Sequence, residues 1–189
     1  MPKENTTRFI VLGLLSHEPM SGYDIKKRVD VIVSHFWNVG FAQIYPTLAE
    51  LESEGLIEKT HAEETKGPQR NVYTATDAGR EALHRWLEQP AVKEYTKYEI
   101  LLKLYFSGGM PVGQSIRAIE DFRERQQQNI GMIRVFRQQL ESVLDQGSDH
   151  LHYYLTVLFG ERVYDAYLTW ADDALRLLKQ ESEKKENKQ

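Results

Sequence analysis

Phe41-Ala42-Gln43-Ile44-Tyr45-Pro46-Thr47-Leu48-Ala49-Glu50-Leu51-Glu52-Ser53-Glu54-Gly55-Leu56-Ile57 is the stretch on which the reading of this chain turns. Ile44, Leu48 and Leu51 recur at i, i+4 and i+7, the spacing that gathers apolar side chains into one stripe of an α-helix. Gln43, Thr47, Glu50 and Glu54 are then expected on the opposite face. A proline in a helix interior costs about 3 kcal/mol, except near the first turn, where the N–H it lacks has no partner anyway. Pro46 therefore sets the helix start close to Ala42. Gly55 ends the helix with a residue that tolerates the left-handed region, and Leu56-Ile57 open an extended segment. A short helix beginning with small and amide side chains suits the major groove of DNA, where glutamine can pair bidentately with adenine. A merely packed amphipathic helix has the same pattern, so the neighbouring segments decide.

Upstream, the run from Phe9 to Leu15 is too apolar for an exposed strand and predicts a mostly buried first helix, with Thr6 or Thr7 as cap. Ser16 to Met20 reads as a turn. Ser21 then caps a second helix, and Asp24, three residues on, can reach back to it. Ile25, Val29, Ile32 and Phe36 carry this helix from Gly22 to about Ser34, with Lys26, Lys27 and Arg28 on its outer side. A phosphate could sit at its start, held by backbone N–H groups and the Tyr23 hydroxyl; the competing reading is that Ser21 only caps and Tyr23 only packs.

Downstream, Leu56 to Glu64 and Asn71 to Thr76 read as two strands joined by Thr65-Lys66-Gly67-Pro68-Gln69-Arg70. Lys66 and Arg70 on such a tip can reach a phosphate or the minor groove, or simply be solvated. Thr76 caps a further helix bearing Leu83, Trp86 and Leu87 until Pro90 closes it. Trp86 is expected to anchor packing or to form one wall of a flat aromatic site. Three helices followed by a β-hairpin with basic tip residues is the layout of a winged helix-turn-helix.

Composition bounds the possibilities. With 189 residues and 41% hydrophobic content the chain can build one large or two small cores, and it has no cysteine for a disulfide framework or thiolate metal site. No apolar run approaches the roughly 20 residues of a membrane span, and the N-terminus lacks a signal-peptide pattern, so a cytoplasmic protein without membrane partners is expected. The net charge of -4 argues against a simple basic DNA-binding surface. Residues 1–90 hold 10 Lys+Arg against 13 Asp+Glu, a balance of -3, so any nucleic-acid surface must be a local patch.

The composition shifts at Gln89 to Glu94, which predicts a connector between domains at 1–90 and 91–182, with a charged, frayed tail at 183–189 inside a charged stretch that opens at Gln180. A helix over Tyr98 to Phe106 is ended by Gly108-Gly109-Met110-Pro111. From Val112 to Leu144, the positions Val112, Ile116, Ile119, Ile130, Ile133, Leu140 and Leu144 keep a seven-residue seam interrupted by Arg123, Gln126 and Arg137, the mark of a helix with a specified mate. After Gly147-Ser148-Asp149 a last helix carries Tyr153, Val157, Gly160, Tyr164, Leu168, Ala171, Leu175 and Leu178 on one stripe. Its length exceeds what a small domain needs to cover itself, so a second subunit is expected. Tyr95, Tyr98, Phe106, Tyr153, Tyr154 and Tyr164 add aromatic surface that could hold an effector. Catalysis, metals and cofactors are not expected: His150 and His152 point to different helix faces, His61 sits on a wing strand, and no nucleophile motif accompanies them.

Leu15 to Ile25, Gln43 to Ile57, Val72 to Gly79 and Trp86 together carry Gly-Tyr, then Tyr-Pro-x-Leu-x-x-Leu-x-x-x-Gly-Leu-Ile, then Tyr-x-x-Thr-x-x-Gly, and in this the chain resembles the PadR family of bacterial transcriptional regulators. The resemblance covers about residues 8–90, and the helical remainder is similar in layout to the branch with a large C-terminal dimerisation domain. It implies a mainly α fold with a small β-hairpin, and a homodimeric repressor on a pseudo-palindromic operator in double-stranded DNA, released by a small aromatic or hydrophobic effector. It also implies DNA contacts from Ala42, Gln43, Tyr45, Pro46 and Thr47 at the recognition helix, from Ser21, Gly22 and Tyr23 at the phosphate-contacting helix start, and from Lys66, Gln69 and Arg70 on the wing. Trp86 with Tyr95, Tyr98, Phe106, Tyr153 and Tyr154 are the candidates for an effector pocket. A winged helix used for protein–protein contact is the other reading, motivated by the acidic balance and by Glu50 on the reading face.

Overall fold

Apolar residues at helical spacing in the first half of the chain need a common core, and the computed structural model provides it with short helices around a small sheet. It describes residues 5–33, 36–37, 39–61, 71–92 and 96–186, without the side chains of Val31, Ile32, Phe41, His61, Ser148 and Glu186. The wing residues Lys66, Gln69 and Arg70, and Tyr95, lie outside the described residues. The chain divides into two compact units, Met1–Lys93 and Glu94–Gln189.

In the first unit, helix α1 (Thr6–His17) is capped by Asn5, one residue before the expected threonines, without a side-chain cap bond. Thr7 is free of capping duty and is buried instead. Val11, Leu12 and Leu15 of α1 form the centre of the core with Ile25, Ile44, Leu48 and Leu51. Helix α2 (Gly22–Arg28) opens on the anticipated capping box, in which the Asp24 N–H donates to Ser21 Oγ and the Ser21 N–H donates to the Asp24 carboxylate. A π-helical turn over Val29–Val33 follows, so the regular helix ends well short of Ser34. That wider turn keeps Val29 and Val33 in the core.

A 3-10 turn at Phe41–Gln43 leads into α3 (Ile44–Ser53), as Pro46 requires. Gly55, at φ 72°, then turns the chain into β2 (Ile57–His61). The sheet is a three-stranded antiparallel arrangement rather than a lone hairpin: β1 (Met20–Ser21) pairs with β3 (Asn71–Ala75), and β3 pairs with β2. Two residues are too few to display alternation, which is why β1 reads as a turn in the sequence. Thr76 joins the sheet to α4 (Asp77–Leu87), accepting from the Gly79 N–H and donating to the Gly55 carbonyl at 2.8 Å. A Cβ on Gly79 would stand 2.0 Å from the Leu56 carbonyl oxygen, so only glycine lets α4 lie this close to the start of β2.

The second unit is helical: α5 (Glu99–Phe106), α6 (Val112–Glu141) and α7 (Ser148–Glu186). The mate specified by the α6 seam is α7 of the same chain. Arg123 pairs with Asp172 at 2.6 Å, Arg134 with Asp165 at 2.9 Å and with Glu161 at 3.2 Å, so the two helices run antiparallel. Arg137 lies 2.8 Å from the buried Glu161, an ionic contact not aligned as a hydrogen bond, and also holds Glu141. Ile119, Phe122, Ala171 and Leu175 form the apolar core at the other end of the pair. Helix α7 continues through the charged stretch expected to fray from Gln180, as far as Glu186, with Lys185 and Glu181 paired one turn apart. No helix among the described residues is long and apolar enough to cross a membrane.

Candidate nucleic-acid interface

Ile44, Leu48 and Leu51 are buried, as their spacing predicts, and they fix which side of α3 faces outward. Thr47 corrects the expected pattern: it is only 2% exposed and belongs to the buried stripe, because it stands three residues after Ile44 and four before Leu51. It cannot reach a base edge. Ala42, Gln43, Tyr45, Pro46, Ala49 and Glu50 are exposed. Helix α1 secures one flank of α3 at both ends: the Thr7 hydroxyl donates to Gln43 Oε1 at 3.2 Å, and Arg8 ion-pairs with Glu54. Gln43 is thus presented with one acceptor position engaged and its amide held in orientation.

Beside α3, the starts of α2 and β3 bound a shallow groove of about 390 Å³, lined by Ser21, Gly22, Tyr23, Tyr45, Asn71 and Tyr73. Ser21 and Tyr23 separate here into two roles. The Ser21 side chain is buried and caps the helix, donating to Asp24 at 2.6 Å while accepting from the Asp24 N–H. Tyr23 is 60% exposed and Tyr45 61%, which leaves both rings and hydroxyls at the surface. Gly22 is buried against the Tyr45 ring; a Cβ there would lie 2.7 Å from Tyr45 Cε1. Burial, then Glu52 and Tyr45, push the Tyr73 hydroxyl above its ordinary value, so it remains a neutral donor. Tyr73 and Asn71 stand outside the set of site residues that the sequence implies. Their signal in the sequence is the alternation along β3, where Tyr73 opens the Tyr-x-x-Thr-x-x-Gly pattern.

The aromatic residues considered for an effector have local partners within their own units, among the described residues. Trp86 stacks on Phe9 with ring centroids 4.6 Å apart and planes 6° from parallel, so one ring face is spent on packing. In the second unit the Tyr98 hydroxyl meets that of Tyr167 at 2.8 Å, whereas Tyr154 donates to Glu141 at 3.3 Å. Thirteen residues of α7 separate those places, about 20 Å. Phe106 is exposed and touches Tyr105 edge-on, and Tyr153 lies near His150. His150 itself faces the Val143 carbonyl, and no grouping of residues suited to a metal exists among the described residues.

A helix locked by its inner stripe, with an amide and a tyrosine outward beside a tyrosine-lined groove, is the geometry of a winged-helix reader. Residues 11–85 match the transcriptional regulator PadR-like family, and residues 96–179 match the C-terminal family of virulence activator alpha. Along 178 residues the chain is 30% identical to the negative transcriptional regulator PadR of Bacillus subtilis, covering 90% of this chain and 96% of that one. The chain belongs to the PadR-like family of transcriptional regulators. Among solved structures, B. subtilis PadR in complex with operator DNA is similar with a TM-score of 0.82 at 25% identity, over 93% of this chain and 99% of that one. The same relative in complex with p-coumaric acid is similar with a TM-score of 0.75 at 26% identity, again over 93% and 99%. PadR-like proteins are regulators, not enzymes, and the mainly α fold with its winged helix is common to this chain and those relatives.

Proposed function

We propose that this PadR-like chain acts in the cytoplasm as a homodimeric repressor, that each copy inserts α3 into the major groove of one half of a pseudo-palindromic operator, and that a small aromatic effector releases it. The outward face of α3, with Gln43 and Tyr45 exposed while Ile44, Thr47, Leu48 and Leu51 anchor it, carries this reading. Gln43 reads a base edge, Tyr23 and Tyr45 hold flanking phosphates through their hydroxyls, and the wing from Lys66 to Arg70 adds a backbone contact. Support for pairing comes from α5, which leaves Leu101, Leu102, Tyr105 and Phe106 exposed beside its Glu99–Lys103 ion pair, and from Leu151, Leu155 and Phe159, exposed every four residues along α7. Large apolar side chains left exposed along these helices call for burial, and a second copy provides it. Two-fold pairing presents the α3 helices about one DNA turn apart, roughly 34 Å. An effector that prefers a different spacing shifts the dimer away from the operator-binding form by its differential affinity for the two forms. Retardation of the DNA upstream of the chain's own gene at low salt, reversed by p-coumaric acid, is the expected result. Absence of retardation favours the second reading, a protein-contact module, for which the acidic Glu50 and Glu52 on exposed positions of α3 are the motivation.

A further inference from the structure

The flank of α3 that carries Gln43 also carries Glu50 and Glu54, seven and eleven residues on, spacings that return to the same side of a helix. Two of these three side chains are held by α1, Gln43 by Thr7 and Glu54 by Arg8. Glu50 lies between them, exposed, with no side-chain partner among the described residues. Helix α3 contains no Lys or Arg to neutralise it. A lone carboxylate carried into the groove of a polyanion is repelled by the phosphates on both sides, and that repulsion is offset only where a base edge offers a proton donor. Cytosine offers its N4 amino group there. Guanine turns O6 and N7 lone pairs toward the same space, thymine turns O4, and adenine sets an N7 acceptor beside its amino group.

We propose that Glu50 is a specificity-determining residue whose carboxylate accepts a hydrogen bond from the N4 amino group of one cytosine in each half-site and rejects thymine and guanine there. The inference rests on the reading of α3 as the recognition helix. It assigns Glu50 a double effect: lower affinity for DNA at large, and a steeper distinction between operator and other sequences. Gln43 and Glu50 then read two positions from the same flank, about two helical turns apart.

The test is selection from random-sequence duplexes by the full-length chain, carried out in parallel with Glu50→Ala and Glu50→Gln at one salt concentration. The wild-type chain is expected to enrich one cytosine per half-site by about tenfold or more. Glu50→Ala should lose that preference at that position alone while binding unselected DNA more tightly, and Glu50→Gln should move the preference toward adenine. Since Glu50 is exposed, thermal midpoints should match, which separates a change of reading from a change of fold. An identical set of enriched sequences from wild type and Glu50→Ala overturns the role of Glu50 while leaving operator binding intact. Enrichment of nothing by the wild-type chain overturns operator reading and this inference together.

Discussion

Replacing Gly22 with alanine separates fold from function at one atom. The added methyl would stand 2.7 Å from Tyr45 Cε1, 3.2 Å from Tyr45 Cζ and 3.3 Å from Leu48 Cδ1. Ordinary carbon–carbon contact is about 3.5–4.0 Å, so the Tyr45 ring must retreat by about 1 Å. It can do so, because Tyr45 is mostly exposed, whereas Leu48 needs to yield only a few tenths of an ångström. The residual strain is about 1 kcal/mol, and the lower unfolded-state entropy of alanine returns about 0.4–1 kcal/mol, so stability changes little. The groove changes more, since Tyr45 forms one of its walls. A tyrosine hydroxyl bonded to a phosphate contributes about 1.5–3 kcal/mol, and losing its alignment lowers operator affinity by about ten- to a hundredfold. Fluorescence anisotropy with operator DNA, read beside a thermal melt, measures both quantities. A melt lowered by many degrees would show that Tyr45 cannot move, and unchanged affinity would show that its position does not matter to DNA; either refutes the reasoning.

Gly79→Ala should act in the opposite way, lowering the urea midpoint by about 3 kcal/mol of stability, because the obstacle is the Leu56 backbone oxygen and not a mobile ring. Glu161→Ala leaves Arg134 and Arg137 without their shared carboxylate in a partly buried place, and a loss of about 2–3 kcal/mol in urea titration is expected. Burial, then the Tyr98 hydroxyl, raise Tyr167 well above its ordinary value of 10.0. Its neutral form is therefore favoured by folding, and the stability it lends is complete below pH 10 and drains away as pH rises beyond that value; Tyr167→Phe should flatten this alkaline decline in pH-dependent melts. Gln43→Ala should weaken operator binding by about tenfold while leaving affinity for unrelated DNA unchanged, measured by competition at fixed salt.

Local rules were legible where one residue has one physical task. Ser21 and Asp24 make their capping box, Gly55 takes the left-handed turn, and Ile44, Leu48 and Leu51 are buried. Less legible were features that depend on what lies opposite. Thr47 is polar and was expected outward, yet helical geometry places it among its apolar neighbours. Tyr73 and Asn71 join the groove only because β3 pairs with β1, a strand of two residues. Likewise the polar interruptions at Arg123 and Arg137 specify a partner, but whether that partner is a second copy or α7 of the same chain is decided by Asp172 and Glu161, far along the sequence. Aromatic content could not locate an effector site, since counts say nothing of convergence and Tyr98 and Tyr154 stand at different levels of α7.

Hydroxyl-radical footprinting of the chain on the DNA upstream of its own gene bears most directly on the pairing of two α3 helices. Two protected patches on one face of the duplex, centred about one turn or roughly 10 base pairs apart, and both lost in Gln43→Ala at a concentration that only just saturates the wild-type chain, are expected. A single patch, or protection that Gln43→Ala leaves intact, would contradict the account.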